Sequence, residues 1–267
     1  MGEFGWELFC WHAYVRSLSR KYDKTICISS PHSKFMYQDF CDKFLEFSPS
    51  RGEYKDSFYK VGFSLKQEEL EEIFNKCEVN LKTQKVTMFS PRRIGDPPRT
   101  HFKESFKFGK HSISPEYIRF GDAKTRPKEE IIFHARDRTL RPQDNWPIEK
   151  WSKLASRFIS KGYKISSIGL KSESIHVPGT TDKRECNQQD LVNTLANAKC
   201  IFGPSSGAMH LASLCACPQI VWTTDYNSDR YKKNWNPHDT EVLFLSKYGW
   251  QPTVDYVEKE FERWQND

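Results

Sequence analysis

The residues best equipped for chemistry lie in the second half of the chain. Gly203-Pro204-Ser205-Ser206-Gly207-Ala208-Met209-His210 follows a short apolar run, Cys200-Ile201-Phe202. Small residues there let the backbone approach a bulky anion, while serine hydroxyls and the free N–H groups of a following helix donate to it. His210 falls one turn into that helix. The combination suits a diphosphate, although a tight strand-to-helix turn with a core histidine uses the same residues. His134-Ala135-Arg136-Asp137-Arg138 also follows an apolar run, Ile131-Ile132-Phe133. Guanidinium groups bind oxyanions bidentately, so Arg136 and Arg138 at the end of a strand suit phosphate recognition; a surface network of Arg and Asp is the alternative. Near the start, the glycines of an N-terminal loop, Gly2 and Gly5, accompany two acids, Glu3 and Glu7. A carboxylate there can take the proton of an acceptor hydroxyl as a general base, or simply suit the positive end of a helix.

Two further loops complete the candidates. Asp144-Asn145-Trp146-Pro147 opens a helix and reads as its cap, and Ile168-Gly169-Leu170-Lys171, with Glu173 nearby, is a possible nucleoside contact. No Gly-x-x-x-x-Gly-Lys-Ser/Thr, His-Glu-x-x-His or Gly-x-Ser-x-Gly occurs, which argues against a P-loop NTPase, a zincin and an α/β-hydrolase.

These loops need elements to hold them. In the C-terminal half, apolar runs at 130–135, 164–168, 200–202 and 219–222 read as buried strands. They alternate with helical patterns at 147–160, 190–198 and 206–215, with Asp190 as N-cap of the second. A last helix is expected over 254–264. Repeated strand-helix-strand units imply a parallel, doubly wound sheet, whose ligands bind beyond the carboxyl ends of its strands. The N-terminal half is less regular. It reads as a helix over 7–20, a strand over 25–29, a helical stretch over 32–40 and a surface helix over 65–76. A proline-broken, irregular region follows over 79–121, and the polar break at 121–128 marks the domain boundary.

Composition sets outer limits. The 267 residues suffice for one large domain or two ordinary ones, and 19 Phe, 11 Tyr and 8 Trp supply the apolar area of a globular core. No stretch reaches the roughly 20 apolar residues that span a bilayer, and the acidic start is unlike a signal peptide; the expectation is a cytoplasmic protein without a transmembrane segment. Eight cysteines without a Cys-x-x-Cys motif read as free thiols, with neither a disulfide framework nor a metal site. The net charge of +6 favours anionic ligands. The basic, Phe-rich stretch at 91–110 suits a nucleic acid, but a loop that packs its Phe residues onto the domain is the favoured reading.

In order along the chain, these pieces resemble the heptosyltransferase-like glycosyltransferases (family 9). Asn145-Trp146-Pro147-Ile148-Glu149-Lys150-Trp151, then Gly162-Tyr163-Lys164-Ile165, is similar to that family's Arg-Trp-Pro helix and following strand. Asp190-Leu191 with Leu195-Ala196-Asn197-Ala198 resembles the short helix before its nucleotide loop. Ser206-Gly207-Ala208-Met209-His210-Leu211-Ala212, followed by Cys217-Pro218, resembles its Asp-Ser-Gly-x-x-His-Leu-Ala and Gly-x-Pro pattern, with Ser205 where Asp is usual. The resemblance implies an α/β fold of two Rossmann-like, doubly wound domains, termed GT-B. These are an acceptor-side domain over 1–122 and a nucleotide-sugar-binding domain over 123–267, whose last helix can pack back on the first. The family's opening strand and Gly-Asp are missing at the N-terminus, so the first strand of that domain is expected to be absent or replaced.

The implied activity is transfer of a sugar, hexosyl or heptosyl, from a nucleotide-sugar donor to a hydroxyl of a glycan, lipid-linked or other acceptor, with neither metal nor further cofactor. Ser205, Ser206, Gly207 and His210 would contact the donor diphosphate. Arg136 and Arg138 would meet the charge of the leaving nucleotide, and Glu3 or Glu7 would act as base. Three other functions fit the same residues: a non-catalytic sugar-nucleotide or glycan-binding module, a nucleotide-sugar 2-epimerase-like enzyme, and a nucleic-acid-directed glycosyltransferase.

Overall fold

A computed structural model describes residues 4–47, 67–80, 82–90, 104–124, 128–139 and 141–266. The chain divides into two compact units, Met1–Tyr117 and Ile118–Asp267. The protein is α/β, and its doubly wound sheet belongs to the second unit.

In the first unit, α1 (Phe4–Cys10) and α2 (His12–Ser19) replace the single helix expected over 7–20. The break is at Trp11, whose backbone leaves the helical region (φ −137°, ψ −64°). Its ring stacks on Trp6 at 5.9 Å and packs against Phe108 at 5.7 Å. Gly5 lies in the first turn of α1 and not in a loop, because helix begins at Phe4 and the whole face around Trp6, Leu8 and Phe9 is buried. Gly2 and Glu3 fall outside the described residues. β1 (Ile26–Ser29) pairs in parallel with β2 (Lys43–Glu46), and a 3-10 helix over Pro31–Met36 makes the crossover in place of the longer helix expected there. The surface helix α3 spans Gln67–Cys77. Within the region read as irregular, β3 (Phe106–Phe108) and β4 (His111–Ile113) form a hairpin. Phe108 is fully buried with Tyr14, Leu18 and Ile113, so this end of the basic, Phe-rich stretch serves packing; residues 91–103 lie outside the described set.

The second unit holds six parallel strands: β5 (Glu130–Phe133), β6 (Lys164–Ser167), β7 (Thr181–Asp182), β8 (Cys200–Pro204), β9 (Gln219–Trp222) and β10 (Val242–Leu245). Their order is β10-β9-β8-β5-β6-β7. Expected strands account for the centre; the edge strand β7 is two polar residues with no pattern, while β10 at the other edge is a run of four apolar residues that was not expected as a strand. The helices are α4 (Ile148–Ser160), α5 (Gln188–Ala196), α6 (Gly207–Leu214) and α7 (Val254–Asn266). Asn187, and not Asp190, caps α5, its side chain accepting from the Asp190 N–H at 2.9 Å.

Alternation along the central strands explains the two layers of helices. Ile131, Phe133, Phe202, Ile220 and Trp222 face one side, where they join Trp151, Leu154 and Phe158 of α4 and Val254, Val257 and Phe261 of α7 in one core. α7 thus packs on the sheet of its own unit. Ile132, Ile201 and Val221 are buried on the opposite side, where α6 packs on β8 and β9 with α5 beside it. Strands buried on both faces read as continuous apolar runs, as these do. Among the described residues, no helix is long and apolar enough to cross a membrane.

Candidate functional site

The strand order contains one reversal. From β5 the chain winds through α4 to β6 and β7 on one side, then returns through α5 to β8 on the other side of β5 and continues to β9 and β10. Beyond the carboxyl ends of two strands from which the chain winds in opposite directions, the connections diverge and leave a crevice. The two loops that leave β5 and β8 carry the sequence's candidate phosphate-binding residues, so the topology brings together His134, Arg136 and Arg138 with Ser205, Ser206 and Gly207.

The loops are fastened to each other. Arg136 is 5% exposed; its Nη1 donates to the Ser205 carbonyl at 2.6 Å and its Nη2 to the Asp144 carbonyl at 2.7 Å. Its guanidinium also lies over the Trp250 ring at 5.1 Å, a favourable cation–π arrangement. Burial, together with neighbouring Arg138, pushes the pKa of Arg136 down to about 10. Arg138 is more accessible, and its Nη2 donates to Asp144 Oδ2 at 2.9 Å. Asp144 and Asn145 were expected to cap the helix that follows. Instead Asp144 holds both arginines, Asn145 Nδ2 donates to the Arg138 carbonyl at 2.9 Å, and Pro147 occupies the N-cap of α4 with no side-chain cap. The 168–175 turn braces the loop from behind: the Ile175 N–H donates to the Ala135 carbonyl and the Asp137 N–H to the Glu173 carbonyl.

On the β8 side, Ser206 is the N-cap of α6 in extended backbone (φ −162°, ψ 171°), yet its hydroxyl makes no cap bond. It lies 3.1 Å from His134 Nδ1. The Ser205 hydroxyl accepts from the Tyr231 phenol at 2.9 Å, and that phenol accepts from the Ser206 N–H at 3.2 Å. Burial raises the Tyr231 pKa to about 12, which keeps the phenol a donor. Gly203 is what lets α6 start so close. A Cβ there would sit 2.8 Å from Met209 Sδ and 3.3 Å from the His134 carbonyl oxygen. His210 is turned into an aromatic cluster, stacked on Tyr231 at 4.5 Å and edge-on to Trp235 at 4.7 Å. Burial, aided by Arg230, holds its pKa well below the usual imidazole range.

Glu7 lies in the first unit and is 3% exposed. Its carboxylate accepts from Ser29 Oγ at 2.5 Å, Ser33 Oγ at 2.8 Å and Tyr37 Oη at 2.5 Å. It thereby ties α1 to β1 and to the 3-10 crossover, an occupation that its place near the start of a helix did not reveal. Among the described residues no cluster of three or more His, Cys, Asp or Glu side chains is arranged to hold a metal ion, and all eight cysteines are free.

Several residues that shape the site escaped the sequence reading. Tyr231, in a π-helical turn over Arg230–Asn234, and Trp250 reach it from far along the chain with no local motif. Asp144 carried a visible signal, an acid close to two arginines, but helix capping explained it equally well. His134 opens its loop in plain view; only the fold shows it opposite Ser206.

Fold and site together define a doubly wound α/β unit with donor-rich loops at its switch point, the arrangement of an anion- or nucleotide-binding domain. No known family profile matches the chain, and no curated protein matches it in sequence. Solved structures do. The E. coli heptosyltransferase WaaC with ADP is 18% identical, with a TM-score of 0.42 over 53% of this chain and 46% of that one. The E. coli ADP-heptose LPS heptosyltransferase II is 16% identical, with a TM-score of 0.44 over 93% of this chain and 78% of that one. A glycosyl transferase of family 9 from Veillonella parvula is 17% identical, with a TM-score of 0.37 over 53% and 40% of the two chains. This chain spans less than half the length of WaaC and of the Veillonella protein.

Proposed function

We propose that the Ile118–Asp267 unit binds the diphosphate of a nucleotide-sugar donor and that the chain is a glycosyltransferase, moving the sugar to an acceptor hydroxyl. The observation that carries this reading is that the loops leaving β5 and β8, tied together by Arg136, place Arg138 on one and Ser206 with the open N-terminus of α6 on the other, beyond adjacent strand ends at the switch point. All are donors, and a diphosphate supplies acceptors and negative charge in the same place. Arg136 acts mainly as a strut that sets the spacing of the two loops, and its buried charge adds to the field. As the nucleoside diphosphate leaves, its growing charge is met by these groups, so transfer is expected to proceed in the presence of EDTA.

Thermal shift against ADP-, UDP-, GDP- and CMP-sugars tests the binding step, since a ligand that prefers the folded state must raise Tm. Stabilisation by one of them that is lost in Arg138→Gln is the expected result; a flat panel at millimolar concentration sinks the reading. One observation favours a second function, a donor-binding module that does not transfer: the carboxylate of Glu7 is buried and accepts from three hydroxyls. Release of free sugar from the stabilising donor, or its absence, separates the two.

A further inference from the structure

The N-terminus of α6 departs from the usual economy of helix ends. A serine at an N-cap normally turns its hydroxyl onto the N–H of the second or third helical residue, which is worth about 1 kcal/mol. Ser206 has the extended backbone of a capping residue but forgoes that bond, and its hydroxyl faces His134 Nδ1 at 3.1 Å instead. The first-turn N–H groups of α6 are therefore left without a side-chain cap.

His134 is held to this task from all sides. Its backbone N–H donates to the Phe202 carbonyl at 2.9 Å, continuing the β5–β8 pairing past the end of β5. Two glycines leave room for it. A Cβ at Gly169, whose φ is +128°, would come 3.3 Å from His134 Cδ2, and a Cβ at Gly203 would come 3.4 Å from His134 Cβ. The residue is 8% exposed, and among the described residues the charged neighbour that acts on it is Arg136, which disfavours its charged form. Burial, with Arg136 nearby, lowers its pKa to about 3, so the imidazole is neutral at physiological pH. A neutral imidazole carries one proton on one of its two nitrogens, and the tautomer fixes what the serine can do. With the proton on Nδ1, the ring donates to Ser206 Oγ and leaves the serine O–H to donate elsewhere. With the proton on Nε2, the serine O–H is spent on the ring.

We propose that His134 is a positioning residue that donates from Nδ1 to Ser206 Oγ and so aims the Ser206 O–H at an anionic oxygen seated over the N-terminus of α6. The inference rests on the reading of this site as a diphosphate site. It adds a residue to that site and assigns a direction to each hydrogen bond. The hydroxyl becomes a better donor as well, because an oxygen that accepts one hydrogen bond is polarised toward giving its own. Ser205 has a different part: its hydroxyl is engaged by Tyr231 and its carbonyl by Arg136, so it fixes the loop.

The test combines spectroscopy on the intact protein with a mutant cycle. Two-bond 15N–1H correlation of the His134 ring in the full chain is expected to show the Nδ1–H tautomer. Inorganic pyrophosphate, which presents a diphosphate without choosing a base or sugar, is the titrant in calorimetry. Ser206→Ala and His134→Gln are each expected to weaken its binding by about tenfold, the scale of one hydrogen bond to a charged group. The double variant should bind no more weakly than Ser206→Ala alone, since His134 acts through that hydroxyl. His134→Asn, whose side-chain amide reaches the place of Nδ1, should restore binding to within about twofold of the parent. An Nε2–H tautomer, or losses that multiply in the double variant, overturns the role of His134 while leaving the site in place. Failure of the parent chain to bind pyrophosphate, ADP, UDP and GDP overturns the diphosphate reading, and the proposal falls with it.

Discussion

Each unit buries charged groups, and two of them, Glu7 in the first and Arg136 in the second, are treated in opposite ways. In the first unit, the Glu7 carboxylate meets three hydroxyl donors, each within 2.8 Å. Both carboxylate oxygens are occupied, and the group is buried. In the second unit, Arg136 donates two bonds to neutral carbonyls, while the buried Nε atoms of both Arg136 and Arg138 find no partner among the described residues. The nearby helix start has no side-chain cap either. Donors exceed acceptors there, and buried polar groups are rarely left unmatched in a resting fold without a functional reason. The contrast separates a cluster that holds a fold together from one that is arranged to receive something.

The largest effect should come from breaking the closed cluster. Glu7→Ala leaves three inward-facing hydroxyls without their acceptor and is expected to cost about 4 kcal/mol of stability, read from chemical denaturation. Pyrophosphate affinity should be unchanged. Glu7→Gln keeps one acceptor oxygen, and the hydroxyls can turn to adapt, so its loss should be clearly smaller. A Glu7→Gln chain with unchanged stability but no transferase activity would reverse the assignment and make Glu7 the base.

Acid should strain the second unit more than the first. His134 and His210 in the second unit and His12 in the first are all held below the ordinary imidazole pKa, by burial above all. A histidine whose folded pKa is depressed contributes its full share of stability above its unfolded value of about 6.5 and loses it as pH falls toward the folded value, which is about 3 for His134 and His12. Each therefore costs about 1 kcal/mol over the first pH unit below 6.5, the slope rising toward about 1.4 kcal/mol per unit further down. Between pH 6.5 and 5.5 the second unit should lose about 2 kcal/mol and the first about half as much. Hydrogen exchange at pH 6.5 and 5.5, followed separately in α4 and α2, measures both; equal losses would remove this difference between the units.

Arg138→Gln probes the open cluster with less disturbance. Glutamine can still donate to Asp144, so the loop should keep its shape, while the charge offered to the ligand is gone. Pyrophosphate binding is expected to weaken by about thirtyfold, roughly 2 kcal/mol. An unchanged affinity would mean that Arg138 belongs to the loop and not to the site.

What the sequence disclosed follows the same division. The central strands of the second unit bury both faces, so their residues form apolar runs that are hard to mistake, and the loops after them were legible for that reason. β7 is two polar residues at one edge and no period marks it, whereas β10, at the other edge, is itself an apolar run, Val242–Leu245, that went unassigned. In the first unit, the pattern over 7–20 continues through Trp11 although the helix does not, because both segments bury aromatic faces on either side of the break. The site was legible as residue types, in Arg136, Arg138, Ser206 and Gly207. It was not legible as a division of labour. That Arg136 ties the two loops while Arg138 pairs with Asp144, that Asp144 serves arginines and not a helix end, and that Tyr231 takes up Ser205 all emerge only from the folded contacts.

The smallest expected effect is also the most direct comparison of a closed end with an open one, because it sets α5 beside α6 in the same unit. Asn187 caps α5: its Oδ1 accepts from the Asp190 N–H at 2.9 Å, and its Nδ2 donates to Asp190 Oδ2 at 2.6 Å. Asn187→Ala removes both bonds at a cost of about 1 kcal/mol, and the Asp190 amide should exchange about fivefold faster. Ser206→Ala removes no cap bond, so exchange of the Ala208 and Met209 amides should hardly change. Added pyrophosphate should then slow exchange at Ala208 and Met209 but leave Asp190 as it was, in the parent and in Asn187→Ala alike, because only the uncapped end has donors to offer. If pyrophosphate protected both helix ends equally, the switch point would have no special claim on the ligand, and the surplus of donors around Arg138 and Ser206 would need a different explanation.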